Sequence, residues 1–396
     1  MFFSAHRSIV VIVEGSLRSL ALALVVTIAL AGSAAAENGE FNRRATATAQ
    51  ILAGITPAAG DPALDRLVKL ETFAEHQKWM ASHWSQARGR ISAIESWRAQ
   101  QVKISGGNNK TLLYPFSGPD FLNAYVLFPD HRLYIFFSLE RPGTLPDLES
   151  VTPVQFGKML QDVRNAFRDI FERNYFITDY MSKQLTTPWI RGTVPIMATM
   201  MALMNLGIVR IEPVDLYPEL TNTYEAMEAK RPRRLMRGVR IDFSSANGGS
   251  LHQLYYFSVD AADKWLEFYP GFLDWVAQHR PASALLKSAS YLLHDSQFEK
   301  TRAMILSSAD YVIQDDTGIP YRFLQQSPWQ VRLYGQYHRP IKGLRYGYQA
   351  DLESAYKAKA DVPDLPFPFG YHWRGKQLWS AYREPVKFGA LGCGGY

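Results

Sequence analysis

Cysteine is almost absent from this chain of 396 residues, which has a single one, Cys393, in the C-terminal stretch LGCGGY. One thiol cannot form an internal disulfide, and no cysteine cluster exists that could bind zinc. The stability of the fold must therefore come from the burial of apolar side chains. A chain of this length is long enough to build a large core.

Several catalytic and metal-binding motifs are also missing. The sequence has no His-Glu-x-x-His pair, no calcium-binding loop, no Gly-x-Ser-x-Gly nucleophile elbow and no repeating unit. The closest histidines, His76 and His83, stand about two helical turns apart, which is too far for one zinc ion. The stretch GYHWRGKQ has phosphate-loop spacing, but Gln377 replaces the hydroxyl residue that holds magnesium. We predict no metal site and no cofactor.

Neither sign of charge dominates, since 43 basic and 37 acidic residues give a net charge of +6. This excess argues only weakly for anionic partners. One basic stretch, KRPRRLMRGVR, stands out, and its sequence favours a strand with a solvent-facing row of cations. If it binds a partner in an exported protein, we expect an anionic component of the cell envelope and no nucleic acid. The six cations are Lys230, Arg231, Arg233, Arg234, Arg237 and Arg240.

Long apolar runs are rare, and the first of two lies near the start of the chain. Arg7 and Arg18 precede the run Leu20 to Leu30, and the stretch GSAAA follows it and ends at Ala36. A basic start, a short apolar segment and an Ala-x-Ala end are typical of a secretory signal peptide. The pattern predicts a signal peptide over residues 1–36, removed near Ala36, and a periplasmic or secreted bacterial protein.

The second apolar run, VPIMATMMALMNLGIV, covers residues 194–209. It is shorter than the about 20 residues that cross a bilayer. We therefore predict a buried helix and no membrane span in the mature chain.

Helical and strand patterns alternate in blocks without a regular strand-helix-strand order. This arrangement favours an α+β fold with an antiparallel or mixed sheet and helices packed on it. We predict a loose N-terminal arm over 37–60 and a single domain over 61–396, in which 142–153 is the one candidate internal boundary. Helices are predicted at 61–104, 154–171, 192–206, 270–280, 283–293 and 297–308. Strands are predicted at 111–116, 123–128, 132–140, 208–217, 234–245, 253–260, 311–316 and 329–338, the first three as consecutive antiparallel pairs.

Aromatic residues are abundant, with 9 Trp, 21 Tyr and 22 Phe. They favour strands and cores, and they also line exposed platforms that bind sugars or peptides. In the C-terminal third, polar groups stand beside rings, which is typical of ligand pockets. The candidate ligand-binding residues there are Tyr321, Trp329, Tyr334, Tyr337 and His338.

The stretch YVIQDDTGIP contains Asp-Thr-Gly, the tripeptide that carries the catalytic carboxylate of aspartic proteases. That chemistry needs two carboxylates that share a proton, and the tripeptide occurs once. A strand that ends in a polar turn also accounts for these residues. We predict that the Asp316 carboxylate accepts hydrogen bonds from amides of the turn and that Gly318 has a positive φ.

These observations leave two functions open. The first is an exported envelope protein that binds a ligand or partner without catalysis. The alternative is a hydrolase that needs no cofactor and uses acidic and histidine side chains as acid and base. Its candidate residues are Asp120, His294, Asp295, Asp315 and Asp316. Ser117, in the turn SGPD, is explained by turn chemistry alone.

Two stretches resemble a family of uncharacterised secreted bacterial proteins. They are LLYPFSGPDFLNAYVLFPD and the segment that runs from SASYLLHDSQFEK to WQVRLYGQYHRPI, and together they cover about a fifth of the chain. The resemblance implies a secreted bacterial context. It implies no activity, cofactor or catalytic residue.

Overall fold

A computed structural model describes residues 43–104, 110–176, 183–216, 220–222, 236–245, 250–269, 271–325, 328–372 and 375–383. These residues form one ten-stranded mixed sheet with helices packed against it. The predicted α+β fold with a mixed sheet is therefore confirmed. The predicted signal peptide and the start of the N-terminal arm lie outside the described residues. The rest of the predicted loose arm is wrong, because residues 43–52 form a helix whose Ala49, Ile51 and Leu52 are buried in the core.

The helices divide between the first and second halves of the chain. The first group is α1 (residues 43–52), α2 (Pro62–Leu67), α3 (Glu71–Gln101), α4 (Phe121–Leu127), α5 (Pro153–Arg173) and α6 (Val194–Leu203). The second group is α7 (Asp263–Leu266), α8 (Phe272–Gln278), α9 (Glu299–Ser308) and α10 (Ala350–Ala358). Short 3₁₀ helices cover Leu292–His294, Ser296–Phe298, Tyr321–Phe323 and Lys342–Gly347.

The strands are β1 (Thr111–Pro115), β2 (Leu133–Ser138), β3 (Leu206–Leu216), β4 (Leu220–Asn222), β5 (Met236–Ser245), β6 (His252–Ser258), β7 (Ser283–Leu286), β8 (Tyr311–Gln314), β9 (Trp329–Gly335) and β10 (Gln377–Arg383). Their order across the sheet is β4-β3-β5-β6-β2-β1-β7-β8-β10-β9. The five middle strands, from β6 to β8, are mutually parallel. Antiparallel strands extend the sheet on both sides.

The two halves of the chain cover opposite faces of the sheet. In β1, Leu112 and Tyr114 belong to the core beneath helices α1 to α6, and Leu113 belongs to the core beneath α7 to α10. All five residues of β1 are buried, as expected for a parallel strand covered on both faces. This segregation explains why the sequence shows no regular alternation of strands and helices.

Local sequence explains the best-predicted helix, α5. Thr152 and Gln155 form a capping box at its start, and Pro153 occupies the first helical position, where its missing N–H is not needed. The helix ends at Asn174, which has a left-handed φ of 66°. Its apolar side packs against α3 through contacts such as Phe73 with Phe156.

Two predicted elements are wrong. Residues 123–127 of the predicted strand 123–128 belong to helix α4, because the Asp120 side chain caps its first turn and Phe121 packs edge-on against Phe243 of the sheet. Strands β1 and β2 are consequently joined by a helical crossover and pair in parallel, instead of forming antiparallel pairs. Residues 283–286 of the predicted helix 283–293 form β7, whose four residues are all buried between β1 and β8. Tertiary pairing overrides the helical preference of Ala and Leu there.

Helix α6 corresponds to the most apolar run after the predicted signal peptide. Residues Val194 to Ala202 are all buried, which confirms the predicted buried helix for the first part of the run. The prediction is wrong for residues 206–209, which belong to β3. None of the helices in the described ranges is both long enough and apolar enough to traverse a membrane.

Candidate functional site

The order in which the parallel strands are added to the sheet reverses at β1, in the middle of the sheet. From β1 the chain continues to β2 and then β6 on one side, and it later returns to β7 on the other side of β1. The loop after β1 leads to α4 on one face, and the loop after β7 leads towards α9 on the opposite face. Loops that diverge in this way leave a crevice at the carboxyl ends of the strands, the usual place for ligands in open sheets.

A cavity of about 440 Å³ occupies this crevice, and we call it the switch pocket. Its lining comes from the ends of four parallel strands, β1, β2, β6 and β7, and from the segment around residue 175. The polar and aromatic side chains that matter below are Phe116, Ser117, Asp120, Lys287, Ser288 and Phe298.

The turn after β1 supplies one wall of the switch pocket. Phe116 and Gly118 have left-handed φ values of 56° and 50°, so the chain turns sharply at the end of the strand. Asp120 then begins α4 by accepting a hydrogen bond from the Asn123 amide at 3.2 Å. Ser117, which is only 5% exposed, lies between these features, and its Oγ has no hydrogen-bond partner among the described residues.

A buried ion pair forms the floor of the pocket. Lys287, directly after β7, places its Nζ 2.7 Å from Asp120 Oδ2, and the two side chains are 1% and 3% exposed. The Tyr114 hydroxyl and the Asn123 side chain also donate to this carboxylate. Burial, and then the charge of Asp120, raises the pKa of Tyr114 well above its ordinary value, so the phenol remains a donor.

The loop after β7 has an unusual backbone. Ser288, Ser290 and Tyr291 have φ values of 55°, 52° and 59°, in the left-handed region that non-glycine residues seldom adopt. Such conformations persist only where the surroundings enforce them, and they concentrate at functional sites. Ser288 lines the switch pocket, and its buried Oγ has no hydrogen-bond partner in the described part of the chain.

The Asp-Asp-Thr turn after β8 enforces this conformation. Asp315 Oδ2 accepts hydrogen bonds from the Ser288 amide at 3.1 Å and from the Tyr371 amide at 3.3 Å. Thr317 Oγ1 accepts one from the Ala289 amide at 2.7 Å, and it donates to Asp315 Oδ1. The acidic turn therefore holds the backbone of the loop that lines the pocket.

Asp316 has a different set of partners, all of them side chains. Its Oδ1 lies 2.8 Å from His372 Nε2, and its Oδ2 accepts the Tyr291 hydroxyl. Burial alone lowers the pKa of His372, but the hydrogen bond and charge of Asp316 outweigh it and raise that pKa overall. Burial and then the neighbouring Asp316 charge raise the pKa of Asp315.

The predicted role of this turn is therefore partly wrong. The Thr317 amide donates to Asp315 Oδ1 at 3.1 Å, so Asp315 caps the turn in place of Asp316. Gly318 does not have a positive φ. Glycine is required there because a Cβ would lie 2.3 Å from Gln314 Oε1, and the Gln314 side chain makes hydrogen bonds of 2.9 Å to both main-chain groups of Ile319.

The other two candidate acids and bases lie apart from the pocket floor. His294 packs edge-on against Tyr291, with ring centroids 5.1 Å apart, and burial lowers its pKa to about 4. Asp295 is exposed and caps the following 3₁₀ helix by accepting the Gln297 amide at 2.9 Å. Of the five predicted acids and bases, the structure brings Asp120 into the pocket lining and places Asp315 and Asp316 behind it.

The aromatic candidates do not form one surface. Trp329 and Tyr334 are buried in the cores on opposite faces of the sheet. Tyr321 packs edge-on against Trp379, and Tyr337 contacts Tyr356. The ring of His338 approaches the acidic turn, since it stacks on His372 with centroids 5.4 Å apart. Tyr337 also lies near the turn, because the Asp316 charge, after burial, raises its pKa.

The predicted basic surface is described only in part. Lys230, Arg231, Arg233 and Arg234 lie outside the described residues. Arg237 and Arg240 lie on β5, where Arg237 is exposed and Arg240 is paired with Asp242 at 2.8 Å.

Sequence reasoning missed Lys287, Ser288, Tyr291 and His372. The first three fell within a predicted helix. A short apolar run, SALL, followed by a lone lysine and small residues could have indicated a buried strand that ends at a site. No comparable local pattern marks His372.

No group of three His, Cys, Asp or Glu side chains within the described ranges is placed to hold a metal ion. Comparison with models of protein families, with curated proteins and with solved structures gives no match to this chain. The function must therefore be argued from the geometry of the site.

Proposed function

We propose that this chain is a binding protein of the bacterial envelope that holds a small, donor-rich polar ligand in the switch pocket. The observation that carries the proposal is that Ser117 and Ser288 line the cavity and that their buried Oγ atoms have no partner in the described structure. A buried polar group without a partner costs about 1–3 kcal/mol, so such groups call for an explanation. A bound ligand would supply the missing hydrogen bonds.

The lining also supports a class of ligand. Asp120, Glu140 and Asp260 contribute three carboxylates, whereas Lys287 is the single cationic side chain that the pocket lining contains within the described residues. Carboxylates and hydroxyl oxygens accept hydrogen bonds from a ligand, and the carboxylates repel an anion. The volume of about 440 Å³ is typical of small-molecule sites. A polyol, a neutral sugar or an amino sugar has the required chemistry.

Export is supported by the sequence alone, through Arg7, Arg18, the apolar run Leu20 to Leu30 and the stretch that ends at Ala36. The resemblance to secreted bacterial proteins agrees with it. N-terminal sequencing of the protein made in a Gram-negative host tests this part, with a mature start near Glu37 as the expected result. Recovery of the intact leader in the cytosol would contradict export.

Ligand binding is tested by melting temperatures measured with a panel of polyols, neutral sugars and amino sugars. A ligand that binds only the folded state raises the melting temperature in proportion to its occupancy. We expect at least one member of the panel to do so, and we expect Ser117→Ala and Ser288→Ala to reduce the shift. Ser85→Ala, on the exposed side of α3, is the matched control and should retain it. An equal shift in all four proteins would exclude the pocket as the site.

A second function, hydrolysis, is favoured by one observation. Ser288 follows the end of strand β7, has a left-handed φ and lines a cavity, as the serine of a nucleophile elbow does. The structure argues against hydrolysis in which an aspartate acts as acid or base, because the carboxylates of Asp120, Asp315 and Asp316 already have partners. Lys287 is a poor base for the Ser288 proton while it is ion-paired with Asp120.

A fluorophosphonate probe separates hydrolysis from binding. A nucleophilic Ser288 Oγ would attack phosphorus, with loss of fluoride and of the hydroxyl proton, and leave a phosphonylated serine. Peptide mass spectrometry would locate the label. Labelling of Ser288 in the intact protein, absent from Ser288→Ala and unchanged in Ser85→Ala, would favour the hydrolase; absence of labelling is the result we expect.

A further inference from the structure

A second and larger cavity adjoins the switch pocket. It has a volume of about 1460 Å³ and shares Leu139 and Glu140 with the smaller pocket. Three arginines line it, Arg141, Arg191 and Arg237, and we call it the arginine cleft. They come from three separate segments: the loop after β2, the loop before α6 and strand β5.

The backbone fixes two of these arginines beside each other. Gly143 and Gly192 have φ values of 67° and 85°, and their segments touch so closely that a Cβ on Gly143 would lie 1.5 Å from the Arg191 carbonyl oxygen. A Cβ on Gly192 would lie 2.4 Å from the carbonyl oxygen of Arg141. Hydrogen bonds from the Thr193 amide to this oxygen, at 3.0 Å, and from the Val194 amide to the Pro142 oxygen, at 2.9 Å, hold the contact.

The third arginine is carried by the sheet. Arg237 lies on β5 next to Gly238. A Cβ on Gly238 would lie 2.6 Å from the Phe257 ring, so only glycine leaves room for that ring. Arg237 is exposed and lines the cleft. The cleft is therefore lined by cations whose main chains are held by two different parts of the fold.

The charges of the arginines are available to a ligand. None of the three takes part in an ion pair within the described residues, and all three are exposed. The lining also contains two acidic residues: Asp215 is 2% exposed, and Glu140, which the switch pocket shares, accepts a hydrogen bond from the Ser138 hydroxyl. The three exposed arginines outnumber these two carboxylates, so the lining has a net positive charge.

We infer that the arginine cleft binds a compact ligand with two or more negative charges, borne by phosphate or carboxylate groups. Guanidinium groups pair with both kinds of oxyanion through two parallel hydrogen bonds, and several held around one cavity suit a multiply charged molecule. The inference goes beyond the proposed function, because the acidic lining of the switch pocket would repel the same ligand. It is a separate site with its own specificity.

Isothermal titration of the mature full chain with inorganic tripolyphosphate and with citrate tests the inference. The two probes distinguish phosphate from carboxylate ligands. We expect at least one to bind, more weakly as the salt concentration rises. The double variant Arg141→Gln/Arg191→Gln should weaken binding at least about tenfold, as the loss of charged hydrogen bonds implies. Arg237→Gln, which alters one side chain on a strand, should weaken it as well.

Two controls make the result decisive. Arg88→Gln removes an exposed arginine of α3 and should leave the affinity unchanged, and Ser117→Ala, in the switch pocket, should do the same. Unchanged melting temperatures show that the variants fold. Absence of heat with both probes at millimolar concentration overturns the inference, as does equal loss of affinity in Arg88→Gln. Loss of anion binding in Ser117→Ala would show instead that the two cavities form one site.

Discussion

At one edge of the sheet, the loop after β8 differs from the loops after β1 and β7 in how its polar groups are satisfied. After β8, the oxygens of Asp315 and Asp316 accept hydrogen bonds from Ser288, Tyr371, Thr317, His372 and Tyr291. After β1 and β7, the hydroxyls of Ser117 and Ser288 are buried and have no partner in the described structure. The two aspartates that look catalytic in the sequence already have hydrogen-bond partners within the protein. The two serines, which do not look catalytic, line a cavity.

The comparison teaches that a charged motif at a strand end can support a site without forming it. The carboxylate of Asp315 and the hydroxyl of Thr317 accept hydrogen bonds from amides of the loop after β7. These bonds stabilise the left-handed backbone of that loop, a conformation that persists only where the surroundings enforce it. The loop in turn presents small hydroxyls to the pocket. Four substitutions test this division, and the first is in the ion pair that joins the loops after β1 and β7.

The largest effect is expected for Lys287→Met. It leaves the Asp120 carboxylate buried without its cation, and breaking a buried pair in this way costs about 3–5 kcal/mol of stability. Urea unfolding gives the free energy of unfolding. The double variant Asp120→Asn/Lys287→Met removes both charges and should recover a large part of the loss. A single variant as stable as the original protein would show that the pair does not stabilise the pocket floor.

An intermediate effect is expected for Thr317→Val, which keeps the shape of the side chain and removes its hydroxyl. The Ala289 amide and one Asp315 oxygen then lose a partner, at a cost of about 1–3 kcal/mol. Ser117→Ala removes a hydroxyl that has no partner and should change stability by less than about 0.5 kcal/mol, or increase it. The two changes are compared by thermal and urea unfolding; equal losses would contradict the division between the two loops.

The effect expected for His372→Gln depends on pH. The pKa of His372 is raised in the folded protein, because its hydrogen bond to Asp316 outweighs burial. Its stabilising effect is therefore fully present below the unfolded pKa, about 6.5, and is lost as the pH rises through the folded value. The difference in unfolding free energy between the original protein and the variant should be larger at pH 6 than at pH 9.

The control for this dependence is Asp316→Asn, which removes the charge that raises the pKa of His372. It should reduce the pH dependence of the same difference when His372→Gln is made in its background. A difference that is independent of pH, or that grows towards pH 9, would contradict a protonated His372 in the folded state.

Local patterns in the sequence predicted much of the secondary structure. The capping box of α5, the apolar run of α6 and the β5–β6 hairpin all follow from short-range signals. The end of β8 at a polar turn was predicted from glycine and aspartate alone. The α4 and β7 errors occurred where an N-cap or a neighbouring strand decided the conformation against intrinsic preference.

The candidate site was beyond such patterns. The switch pocket depends on β1 pairing with β7, in a register that places Leu112 opposite Ser283, roughly 170 residues away in the chain. No local feature of either strand specifies this partner. Asp120 could be singled out from its turn, but its cation, Lys287, becomes visible only once the two strands are neighbours.

The same long-range pairing has a consequence for the order of events during synthesis. Until the ribosome has made Ser283–Leu286, β1 lacks its neighbour on one side and forms an apolar, unprotected edge of the growing sheet. Such edges pair with other chains, and distant contacts form late because the loop between them must close first. Fragments that stop before residue 283 should therefore aggregate, and nascent chains should depend on holding factors until β7 emerges. The pocket is then among the last parts of this protein to take shape.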